Sequence, residues 1–237
     1  KGKKTAQRLL AAEVAARLGN TLRPELEAAL AVEKSAKVAD AIRAALNQRA
    51  APAGEEAPAN LDELADRILK GGKKRKLQWL LDSPLPTLHL TEGGTASEDR
   101  RDALLMSYCE LGRIGRSETA AQLAQGIDQK DLAALAYEVY ERWMAAGAQN
   151  KTKWVLPFAA VYGGPAMIPK LTHAIDEWPQ NARGAIACDA VTALALSGDP
   201  TALLAVDGIA RKFKFRQVKA AAAAALENAA QELGITL

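Results

Sequence analysis

Apolar positions recur along most of this chain at three- and four-residue steps, the period of an α-helix with one face turned to a core. Residues 129–143 show it most strongly, with Leu132, Leu135, Ala136, Val139, Tyr140 and Trp143 on one stripe opened by Asp128. The last third reads as a series of short amphipathic helices starting near Lys151, Ala166, Ala182, Thr201 and Phe215. That spacing gives a helix pair about every 33 residues, and a period in this range marks an α-helical repeat array. Such an array presents an extended surface. The stops are as regular as the stripes. Gly163-Gly164-Pro165, Pro179 and Gly198-Asp199-Pro200 supply C-terminal glycines, an N-cap aspartate and first-turn prolines.

Upstream, helices are expected over residues 3–18, ending at Gly19-Asn20, from Glu25 to Leu30 behind Pro24, and from Ser35 to Gln48 on Val38, Ile42 and Leu46. Residues 50–59 carry two prolines and a glycine without a bulky apolar residue, the composition of a linker. The chain therefore divides into an N-terminal helical segment, 1–49, the linker, 50–59, and a main helical domain, 60–237. Asn60 caps a helix to Leu69, and Gly71-Gly72 stops it. The stretch 77–95, with Pro84, Pro86 and Gly93-Gly94, is expected to be irregular or extended. Ser97 caps a helix carrying Leu104, Leu105, Tyr108 and Leu111, and a short helix follows from Ser117 to Ala124. The expected class is all-α, an α-solenoid of HEAT-like repeats.

Composition strengthens the helical reading. Alanine occurs 51 times among 237 residues, and alanine is the best helix former. Thirty-one Lys and Arg against 28 Asp and Glu leave a formal charge of +3, too small for a polybasic protein but open to local patches. The two cysteines, Cys109 and Cys188, lie far apart on apolar helical stripes and read as buried free thiols in a reducing compartment, which places the chain in the cytoplasm. No apolar run is long enough to span a membrane. The start, without methionine, reads as that of a fragment of a longer protein.

Chemistry is sparse. His89 and His173 are read as satisfied surface or core histidines, not as metal ligands. Gly112-Arg113-Ile114-Gly115-Arg116-Ser117 lacks the lysine and preceding strand of a phosphate loop and reads as a helix end, a turn and a new N-cap. The four tryptophans, Trp79, Trp143, Trp154 and Trp178, suit packing better than a ligand cage. No catalytic residue, metal or cofactor is expected. Two basic segments remain as candidate contacts for nucleic acid or an acidic partner: Lys73, Lys74, Arg75 and Lys76, and Arg211, Lys212, Lys214, Arg216 and Lys219. Phe213 and Phe215 interleave with the second segment and could stack on bases if exposed. Against this, loop-end charges are usually solvated, and cations near a helix C-terminus complement its dipole.

The residues Leu85-Pro86, Leu88, Gly93-Gly94, Trp143, Ala146-Gly147, Trp154, Glu177-Trp178-Pro179 and Asp207-Gly208-Ile209-Ala210, with Lys212, Lys214 and Phe215, carry a resemblance. From about Leu77 to Leu237 the chain resembles the helical region of large bacterial proteins known as molybdate-metabolism-regulator-like, a family of unknown function in which some members carry a WGR domain. Tyr162-Gly163-Gly164-Pro165 departs from the acidic turn expected there. The resemblance implies a helical module in a longer protein, with a further domain beyond Leu237. It brings no catalytic residues. The function expected is a scaffold mediating protein–protein contacts, with nucleic-acid binding through the basic segments as the alternative.

Overall fold

The computed structural model describes residue 35, residues 38 and 39, and residues 60–233, with side chains through 229. The chain divides into two compact units, Lys1–Ala59 and Asn60–Leu237. In the first, the N–H groups of Val38 and Ala39 donate to the Ser35 carbonyl at 3.0 and 2.9 Å, and both residues are buried. The helices expected over 3–18, 25–30 and the rest of 35–48, and the linker over 50–59, lie outside the described residues.

The second unit is built from helices. Among the described residues the extended contacts are two isolated antiparallel bridges, His89 with Thr95 and Leu90 with Ile127. Helix α1, Leu61–Leu69, starts where Asn60 accepts a hydrogen bond from the Asp62 N–H at 2.9 Å. It ends before Gly71 and Gly72, whose φ angles of +82° and +75° favour glycine. A 3-10 turn, Lys73–Leu77, runs directly into the one-turn helix α2, Gln78–Leu81. The segment expected to be extended from residue 77 therefore begins only at Asp82. Leu77 and Leu80, three residues apart, are both fully buried, so one helical face is worth winding here despite the basic run before it.

Helices α3, Glu98–Cys109, α4, Glu118–Leu123, and α5, Gln129–Ala145, begin on the side-chain caps Ser97, Ser117 and Asp128. Helix α3 stops before Leu111, which falls in the turn at Gly112 instead of on the helical stripe. Helix α6 spans Val155–Tyr162, α7 Met167–Glu177, α8 Gly184–Ala195, α9 Pro200–Lys212 and α10 Arg216–Leu233. Between α7 and α8 the chain makes a 3-10 turn, Trp178–Asn181, closed by Ala182 at φ +59°.

The helices pack in two rows. Along one row α3 touches α6, α6 touches α8 and α8 touches α10, while α7 and α9 touch each other and pack on α8, and α5 packs on α6. Helix α8 sits in the middle, and it shows why alanine is so abundant. Ala187, Ala190, Ala193 and Ala195 are all buried, so neighbouring helices approach it closely from several sides. Aromatic residues join the layers. Trp143 meets Trp178 edge-on at 5.8 Å, and Tyr108 meets Phe158 at 5.6 Å.

Candidate functional site

The first basic segment folds onto its own acids. Lys73 and Lys76 both reach Glu110, at 2.8 and 3.2 Å. Lys74 pairs with Asp99 at 3.1 Å and with Asp102 at 2.6 Å. Asp102 is 1% exposed, and its other oxygen accepts two bonds from Arg101 at 3.1 and 3.0 Å. The contact with Asp102 raises the Lys74 ammonium above its ordinary value, and Lys73 holds Glu110 below the usual carboxylate range. Of the four cations in this segment, Arg75 alone is exposed with no ion pair to a described residue. Three of the four charges thus hold the 3-10 turn against α3.

The second segment is more open. Arg211 pairs with Asp207 one turn earlier at 2.9 Å, and the Lys219 ammonium donates to the Arg211 carbonyl at 2.8 Å. Lys212, Lys214 and Arg216 are exposed and carry no acid partner among the described residues. Phe213 and Phe215 are half-buried against the core, with ring centres 6.0 Å apart, and Lys214 lies 5.2 Å above the Phe215 ring. The phenylalanines chiefly plug the α9–α10 corner. The 3-10 turn packs on α1, α2 and α3, whereas this corner packs on α8, so the two segments rest on different helices.

His89 accepts no metal-like company. Its Nδ1 lies 2.7 Å from Asp131, which also takes the His89 backbone N–H at 2.6 Å. His173 has Glu177 one turn on, at 3.8 Å. Among the described residues no group of three His, Cys, Asp or Glu gathers as a metal site. Cys109 and Cys188 are free and half-buried, less enclosed than their stripes suggest, and burial pushes both thiols up. Trp143, Trp154 and Trp178 are core residues, and Trp79 meets Trp154 at 6.4 Å. No described helix is long and apolar enough to cross a membrane.

No pattern of residues announces a cleft that distant segments build together. The 112–117 turn, the end of α8 and α10 enclose about 670 Å3. Arg113, Arg116 and Glu118 lie on one side, Thr192 and Asn228 on the other, and Ala195, Leu196, Ala225 and Ala229 complete the lining. Arg116 donates to the Leu196 carbonyl, 80 residues away. A Cβ on Gly115 would meet the guanidinium of Arg113, which folds across that glycine. A second groove of about 680 Å3 lies between α7 and α9, lined by Ile168, Pro169, His173, Ile209 and Phe213.

Comparison with known proteins adds one relation. Over 133 residues the chain is 26% identical to the uncharacterized protein YehI of Escherichia coli (strain K12). The match takes in 53% of this chain and 11% of that protein, so the chain spans only a small part of the length of its relative. No protein-family profile and no solved structure matches the chain.

Proposed function

We propose that this chain is a HEAT-like helical-repeat scaffold that mediates protein–protein contacts as a module of a larger bacterial protein, without chemistry of its own. The observation that carries this reading is the internal neutralisation of the first basic segment. Lys73, Lys74 and Lys76 are engaged with Glu110, Asp99 and Asp102, and Lys212, Lys214 and Arg216, which have no acid partner among the described residues, lie on other elements. A nucleic-acid surface needs cations free to replace counterions along one continuous track. The two-row packing supports a repeat array, since each added helix pair covers the face left by the one before. The resemblance to molybdate-metabolism-regulator-like proteins and the likeness to a far longer relative fit a module embedded in a larger chain. Leu204, 72% exposed on α9, and Tyr137, 42% exposed on α5, offer apolar contact points.

Nucleic-acid binding is the second reading, favoured by the unpaired Lys212, Lys214 and Arg216. Fluorescence anisotropy with labelled duplex DNA, single-stranded DNA and RNA, at low and physiological salt, separates the two. The scaffold reading expects any binding to vanish at physiological salt. Binding that persists there and falls on joint replacement of Lys212, Lys214 and Arg216 by Gln overturns it. On the scaffold reading, a photo-crosslinker placed at Leu204 yields protein adducts and no nucleic-acid adducts.

A further inference from the structure

We propose that the cleft between the 112–117 turn, the end of α8 and α10 binds a small organic oxyanion: a carboxylate or phosphate head on a short apolar body. The volume, about 670 Å3, lies within the range of small-ligand sites. Two guanidinium groups, Arg113 and Arg116, face it against a single carboxylate, Glu118, which leaves an excess of positive charge. Arginine's planar fork suits a two-oxygen head, either carboxylate or phosphate.

The two arginines have different roles. Arg116 is anchored on the Leu196 carbonyl and fixes one wall. Arg113 has neither an ion pair nor a hydrogen bond among the described residues. It folds over Gly115, where any side chain would displace its guanidinium, so the backbone makes room for an arginine that the fold does not otherwise use. The neutral side is equally suited to a ligand. Asn228 is exposed with no partner among the described residues, and its amide can donate or accept. Ala195, Ala225 and Ala229 supply a small apolar floor. The head therefore sits at the arginines and the body over the alanines.

The test titrates the full chain with phenyl phosphate, phenylacetate and inorganic phosphate at physiological salt, followed by calorimetry. One or both of the aromatic anions bind, and which of them binds more tightly identifies the head group. Inorganic phosphate binds at least tenfold more weakly than the better one, because it has no body for the alanine floor. Arg113→Gln weakens binding at least tenfold, and Gly115→Ala weakens it several-fold while retaining every charge. Thermal unfolding of Arg113→Gln stays unchanged, which separates loss of the site from loss of the fold. Joint Lys212→Gln and Lys214→Gln leaves the affinity unchanged. The proposal is overturned if neither aromatic anion binds, if inorganic phosphate binds equally well, if Arg113→Gln has no effect, or if the Lys212 and Lys214 replacements weaken binding as much as Arg113→Gln.

Discussion

Asp102 shows how a basic run becomes structure. Its carboxylate is buried, and Lys74 and Arg101 approach it from two elements. Removing one partner from a buried pair exposes the desolvation cost of the other. Arg101 would keep a partner in Glu98 at 3.9 Å, and Lys74 is 43% exposed, so the loss is smaller than for a fully enclosed pair. Asp102→Ala is expected to lower unfolding stability by about 1–3 kcal/mol in urea denaturation. Glu110 gives a pH signature. Lys73 holds its carboxylate below the ordinary value of 4.5, so its contribution is present above that value and is lost as pH falls further, through the folded value. The group is 30% exposed, which keeps the contribution below about 1 kcal/mol. Glu110→Gln should flatten that part of the acid limb when stability is measured from pH 7 down to about 3.

At the scale of elements, the sequence was legible wherever local chemistry decides. Asn60, Ser97, Ser117, Asp128 and Asp199 each accept a hydrogen bond from the first turn of the helix that follows. Gly198-Asp199-Pro200 folds as its composition implies: Gly198 at φ +75°, then the Asp199 cap, then Pro200 at the first helical position. Asp199→Ala should cost about 1 kcal/mol, read as a lowered midpoint in thermal unfolding. What stayed hidden depends on partners distant in sequence. Leu77 and Leu80 wind one turn because both are buried. Arg142 holds the next segment to α5 through the carbonyls of Leu80, Ser83 and Pro84, at 2.7, 2.9 and 2.6 Å. Arg100 does the same at the end of α4, donating to the carbonyls of Leu123 and Gln125. No periodicity announces that an arginine will serve a carbonyl tens of residues away. For the same reason the 112–117 turn could be recognised as a turn but not as the wall of a cleft.

At the scale of the whole unit, the hydrophobic stripes predicted helices but not the order in which they touch. Row formation follows from α8, whose buried alanines admit α6, α7 and α10 around it. The two basic segments looked alike as strings of lysine and arginine. They differ because α3 offers acids to one of them and the α9–α10 corner offers almost none to the other. The Arg116 bond to Leu196 has a further consequence. It ties the turn before α4 to the end of α8, two stretches of chain 80 residues apart. It works as a staple: one side chain joins two stretches that no local pattern brings together. Arg116→Met should therefore leave helix content intact by circular dichroism while amide hydrogen exchange quickens in the 112–117 turn and at the end of α8. Anything seated against the staple would, in turn, feel both stretches at once.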